Sequence, residues 1–212
     1  GIQLKSTREL DVMAAGGRIL ARTLALIAEA TRPGVTTGEL DRLAEDFIRS
    51  HAGATPAFKG LYDFPGTILT SINHEIVHGI PSRKRVLREG DIVSLDCGVK
   101  FEGMYTDSAL TVGVGEISAA DQKLLDVTQE ALRAGIRAAV VGNHVGDIGH
   151  AIQTVVARGD AHARGQVDRR DGGREALGAL RAHGRRHAGR AADPDAGGLT
   201  SARVRRVRRR LR

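Results

Sequence analysis

The 212-residue chain has no tryptophan, only four phenylalanines and two tyrosines, and a single cysteine. One cysteine, Cys97, excludes an internal disulfide and fits a reducing compartment. Cys97 itself reads either as a metal ligand or nucleophile, or as a small apolar side chain turned into the core from a strand. No apolar run approaches the roughly 20 residues of a membrane span, and the N-terminus lacks the basic-then-apolar order of a signal peptide. A cytoplasmic protein with no membrane partner is therefore expected.

Acidic excess is absent from the chain as a whole but present in most of it. The formal net charge is +7, yet residues 1–157 carry 16 Lys plus Arg against 19 Asp plus Glu, and residues 158–212 carry 16 Arg against 6 acids. Beyond residue 157 there is no aromatic, isoleucine, methionine or lysine, and residues 203–212 are almost pure positive charge. Such a segment buries too little apolar surface to offset its ordering entropy, so disorder or a poorly packed helix is expected. Three explanations compete. The segment is a basic arm for RNA phosphates or a ribosomal surface, a solvated tail, or the out-of-frame product of a reading-frame shift near Ala157 in a GC-rich gene. The frame shift is the reading adopted, which divides the chain into a domain over 1–157 and a non-native tail over 158–212.

What is present within 1–157 is strongly patterned. Ser6-Thr7-Arg8-Glu9 is a capping box that opens an amphipathic helix through about Thr31, stopped by Pro33-Gly34. Thr36-Thr37-Gly38-Glu39 caps a second helix through about Ser50, with Leu40, Leu43, Phe47 and Ile48 as its buried stripe. Ser118 to Asp121 starts a third helix with Leu124, Leu125, Val127, Leu132, Ile136 and Val140, and a fourth begins near Gly146 with Ile148, Ile152 and Val155. The joint Gly34-Val35-Thr36-Thr37-Gly38-Glu39-Leu40 recurs 108 positions later as Gly142-Asn143-His144-Val145-Gly146-Asp147-Ile148. It marks either an internal repeat or a common helix-to-helix loop used twice.

Between the helix pairs lie two strand-like segments, one holding Asp96 and the other Asp107, joined by a short interval with two glycines that suits a hairpin or a tight bulged connection. Paired antiparallel, they bring two carboxylates onto one face, where mutual repulsion favours a divalent cation between them. Two solvated strand-end aspartates are the plainer alternative. Upstream, residues 67–81 form an apolar, strand-like segment that delivers His78 against Gly79 and ends at Pro81.

Taken together, Pro56-Ala57-Phe58-Lys59-Gly60, Phe64-Pro65-Gly66, Thr70-Ser71-Ile72-Asn73, Val77-His78-Gly79-Ile80-Pro81, Gly90-Asp91-Ile92-Val93, Asp96-Cys97-Gly98 and Thr106-Asp107 resemble the type I methionine aminopeptidases over about residues 1–157. The resemblance implies an α+β pita-bread fold with two pseudosymmetric halves and a metal site between them. It further implies removal of the initiator methionine from nascent polypeptide N-termini, with the ribosome as a potential partner, by a monomer holding two divalent ions (cobalt, manganese, iron or zinc). By that resemblance Asp96 and Asp107 are the first two of five ligands, with Asp107 bridging both ions. His78 is the imidazole at the scissile amide, and Leu61, Phe64 and Leu69 build the methionine pocket or simply pack the core.

His74-Glu75-Ile76-Val77-His78 also matches the helical H-E-x-x-H zinc motif, which brings its histidines to within about 6 Å on one helix face. A strand is expected here instead, with the two residues about 13 Å apart, too far for one zinc. The sequence departs from the resembled pattern after residue 157. The remaining ligands, one histidine and two glutamates, and a second catalytic histidine should follow, but the last glutamate is Glu175, and His162, His183 and His187 lack Gly-His-Gly surroundings. The chain as written is thus expected to be inactive. The competing class is a non-catalytic pita-bread binding module whose basic tail contacts nucleic acid or the ribosome.

Overall fold

The computed structural model describes residues 3–167, with side chains through residue 159. Of the basic segment over 158–212, residues 158–167 continue a helix, and the rest, with the disorder, binding arm or frame shift expected of it, falls outside the described residues. Helix α1 (Thr7–Ala30) starts where the capping box places it: the Ser6 backbone N–H donates to Glu9 Oε2 at 2.7 Å, and the Glu9 N–H donates to Ser6 Oγ at 3.3 Å. Helix α2 (Thr37–Arg49) repeats the device with Thr36 and Glu39. The chain turns between them at Gly34, whose φ of +88° is the left-handed conformation that a residue without Cβ adopts at least cost.

Four antiparallel strands follow: β1 (Ala54–Pro56), β2 (Ile68–Ile72), β3 (Ile92–Phe101) and β4 (Met104–Gly113). The β3–β4 hairpin closes through Glu102 and Gly103, both at positive φ (45° and 85°), the two-residue geometry that matches strand twist. Strand β4 lines one edge of β3 along its whole length, so β2 and β1 share the other edge.

Side chains alternate across this sheet. On one face Val93, Leu95, Cys97 and Val99 of β3 are fully buried with Ile68 against Leu20, Leu24 and Ile27 of α1 and Leu40, Leu43, Ala44 and Ile48 of α2. Each large apolar side chain hidden this way contributes roughly 1.5–3 kcal/mol. Phe47, expected in the stripe, is only half-buried and stacks edge-on with His51, while the smaller Ala44 occupies the contact with the sheet. Cys97 is a core residue whose thiol is pushed well above its ordinary range, first by burial and then by the nearby carboxylates. Of the two readings open for it, the enclosed position fits the small apolar side chain turned into the core.

Helices α3 (Ala119–Ala138) and α4 (Val145–Val167) pack on each other, and α4 runs unbroken past residue 157. The two helices approach closely where Gly135 of α3 faces Ile152 and where Gly159 of α4 faces Val127; a Cβ at either glycine would come within 3 Å of the opposite side chain. Their contact with the sheet is slight and chiefly against β4. Leu124, Leu132 and Ile136 of α3 are therefore about half exposed. No helix among the described residues is long and apolar enough to cross a membrane.

Candidate active site

The strand register decides which side chains can meet. Asp96 of β3 pairs with Leu69 of β2 and Ala109 of β4, and Asp107 pairs with Gly98, two positions along β3. Directly paired residues share a face, and so do residues two apart. Asp96, Asp107 and Leu69 therefore all project from the face opposite α1 and α2. The carboxyl groups of Asp96 and Asp107 are close enough to hydrogen-bond. Burial first, and then the charge of Asp107, push the Asp96 carboxyl up to about 7. One oxygen, Asp96 Oδ1, is buried and finds no hydrogen-bond partner.

An orphaned carboxylate oxygen beside a second carboxylate is a poor place for two negative charges and a good one for a hard divalent cation. The residues thus fit the metal ions, though only in part. Among the described residues no cluster of three or more His, Cys, Asp and Glu side chains stands ready to cage one.

The segment that carries His78 differs from expectation. Strand β2 stops at Ile72 because Asn73 takes a left-handed φ of 54° and its amide side chain bonds onward, donating to Asp91 Oδ1 at 2.8 Å and accepting the Ile92 N–H at 3.0 Å. His74 therefore lies in a turn, and residues 75–81 are irregular rather than extended. The zinc-motif pattern at 74–78 forms no helix, so the zinc-protease alternative lacks the geometry it requires. His78 is exposed and itself left-handed, with φ of 64°, a conformation that costs a residue with a Cβ about 1 kcal/mol or more. Its neighbour Gly79 rests on the outer edge of β2, where the Thr70 N–H donates to the Gly79 carbonyl at 2.8 Å. A Cβ on Gly79 would lie 2.0 Å from Thr70 O, so no other residue fits. The His78 backbone is thus about two strand spacings, roughly 10 Å, from β3.

Of the three apolar residues singled out, Leu69 is half-buried on the carboxylate face, Phe64 is half-buried in the β1–β2 loop, and Leu61 is 53% exposed in a short helical turn. Sequence reasoning assigned no part to two further side chains. Phe58 lies over Gly98, where a Cβ would come within 2.7 Å of its ring, and so forms a wall beside both aspartates. Asp41 of α2 accepts the N–H groups of Thr67 (2.7 Å) and Ile68 (3.0 Å), which fixes the start of β2. Burial pushes the Asp41 carboxyl up despite those two donors. A glycine in mid-strand was the available signal for Phe58; Asp41 left none.

The chain is similar to known proteins over most of its length. Residues 11–187 match the family model described as metallopeptidase family M24. The methionine aminopeptidase of Clostridium acetobutylicum is 49% identical over 155 residues, covering 73% of this chain and 62% of that protein. Methionine aminopeptidase 1 of Mycobacterium tuberculosis is 49% identical over 150 residues, covering 71% of this chain and 56% of that protein. The chain thus spans about six-tenths of the length of these curated relatives. The crystal structure of methionine aminopeptidase from Rickettsia prowazekii superposes with a TM-score of 0.72 at 37% identity, over 74% of this chain and 63% of that one. The helices and sheet are those of an α+β pita-bread fold, and the chain belongs to metallopeptidase family M24.

Proposed function

We propose that this polypeptide derives from a cytoplasmic, monomeric methionyl aminopeptidase that removes the initiator methionine from nascent chains, with the ribosome as a potential partner. The observation that carries the reading is the Asp96–Asp107 pair on the open face of the sheet, one carboxyl raised to about 7 and one oxygen unsatisfied. Asp96 and Asp107 would hold the divalent ions, two of them from the group cobalt, manganese, iron and zinc. Bound there, such ions lower the pKa of a water, polarise the scissile carbonyl and anchor a free N-terminal amine. His78 hydrogen-bonds the scissile amide and hands a proton to the leaving nitrogen, while Leu61, Phe64 and Leu69 receive the methionine side chain.

Residues 1–157 form the competent part, and the sequence of 158–212 replaces the segment that carries the remaining ligands. With two carboxylates alone, binding of manganese is weak and turnover of a Met-Ala-Ser peptide negligible. Translation of the encoding DNA beyond Val156 in the other two frames tests the shift directly: one frame should contain a Gly-His-Gly segment and two spaced glutamates. Robust turnover by the chain as it stands sinks the inactivity claim. The small donor set also supports a second reading, a ligand-poor binding module with a basic nucleic-acid-binding tail. A salt-sensitive RNA affinity, lost when residues 158–212 are deleted, would distinguish it.

A further inference from the structure

The segment between β2 and β3 has no helix or strand past Ile72, yet it is tied down at many points. The ties converge on one ion pair. Arg85 donates through Nη1 to the carbonyls of Thr70 (3.2 Å) and Ile80 (3.0 Å), and through Nη2 to Glu75 Oε2. The same Glu75 oxygen accepts the Ile72 N–H at 2.9 Å and lies 3.1 Å from where a Cβ on Gly79 would be. Gly79 adds its own N–H to Ser71 Oγ at 3.2 Å. Burial opposes the charge on Glu75, but the Ile72 amide and the Arg85 guanidinium outweigh it and hold the carboxyl below its usual range.

Isolated surface ion pairs contribute little, but a guanidinium fork that also serves two carbonyls fixes geometry as well as charge. The grip falls on both sides of His78, at Glu75 before it and at Ile80 after it. We propose that Glu75 and Arg85 are positioning residues for His78, clamping its left-handed backbone to the outer edge of β2 so that the imidazole stays in register with the carboxylate pair. The inference rests on the role proposed for His78. Neither residue touches the reacting atoms; each acts through the loop. Lysine at 85 retains the charge but not the fork, so it supports the loop only in part.

The test uses the full chain with labelled histidine and backbone nitrogen, comparing Glu75→Gln, Arg85→Met and Arg85→Lys, with Glu45→Gln as a control that loses the Glu45 ion pairs with Arg49 and Lys59. Amide hydrogen exchange at Thr70 and Gly79 should rise about ten-fold in Glu75→Gln and Arg85→Met while Val93 and Leu95 stay protected. Mn(II) should broaden the amides around residues 96 and 107 at the same concentration in every variant. Its broadening of the His78 ring, steeply distance-dependent, should fall several-fold in Glu75→Gln and Arg85→Met, partly recover in Arg85→Lys and be unchanged in Glu45→Gln. Unchanged His78 broadening in both disruptive variants overturns the proposal, as does loss of protection across the whole sheet. If Mn(II) broadens neither aspartate region in the unsubstituted chain, the metal reading fails by itself, and the exchange data alone decide whether the clamp exists.

Discussion

The two helix pairs share a joint and differ in almost everything beyond it. At each joint a left-handed glycine, Gly34 or Gly142, leads to a residue whose backbone N–H is received by an acid three positions on: Thr36 by Glu39 at 2.8 Å, His144 by Asp147 at 2.7 Å. In the first pair Leu24, Ile27, Leu40 and Ile48 are almost wholly enclosed against the sheet; in the second Leu132 is 56% exposed and Val145 76%. Local signals thus suffice to build a helical hairpin. Whether its apolar stripe is buried depends on a sheet, and only α1 and α2 have one beneath them among the described residues.

The largest effect that would sharpen this contrast is truncation of a stripe residue in each pair. Ile27→Ala should destabilise the chain to urea by about 2–5 kcal/mol, because the cavity opens in a closed core. Leu132→Ala, at a half-exposed position, should cost about 0.5 kcal/mol or less. Equal losses would break the comparison.

Next are two glycines at equivalent places in the joints. A Cβ on Gly38 would come 2.7 Å from the Arg83 backbone nitrogen, whereas Gly146 has open space around it. Gly38→Ala should cost about 1–3 kcal/mol through overpacking, and Gly146→Ala should be neutral or stabilise by up to about 1 kcal/mol through helix propensity. Thermal unfolding of the two variants reads the difference.

The carboxylate pair gives a pH signature that belongs to the first region alone. Asp96 rises from 3.8 to about 7 on folding, so without cations the folded chain holds a proton more tightly than the unfolded one. Stability present below about pH 4 is therefore lost as pH climbs toward 7. Asp96→Asn should remove that slope and stabilise the metal-free chain at pH 8 by about 1–2 kcal/mol, a range reduced because water reaches the open face. A parallel pH–stability curve for the variant would contradict the assignment.

The smallest effect concerns the caps. Removing the acid from each joint, by Glu39→Ala or Asp147→Ala, should cost a similar amount of about 0.5–1 kcal/mol, since the interaction is local in both. Circular dichroism melting of the two variants measures it.

Much of the local structure was legible because its causes are local. Ser6 with Glu9, Thr36 with Glu39 and the Glu102-Gly103 turn each specify their own geometry, and the resulting hairpin put Asp96 and Asp107 on one face. What escaped reading involves partners far along the chain. The end of β2 depends on Asn73 bonding to Asp91 and Ile92, the clamp on the His78 loop on Glu75 meeting Arg85, and the start of β2 on Asp41 reaching Thr67. The exposure of Leu124 and Leu132 was illegible for a related reason. Amphipathic periodicity states that a face seeks cover and not whether cover is present.

The lone thiol at the centre of β3 offers a practical consequence. Cys97 is fully enclosed and resists ionisation, so alkylation in the native state must wait for the sheet to open. Pulse labelling at that position therefore counts openings of the first region without any engineered reporter, and would separate fraying of the peripheral helices from rupture of the folded heart.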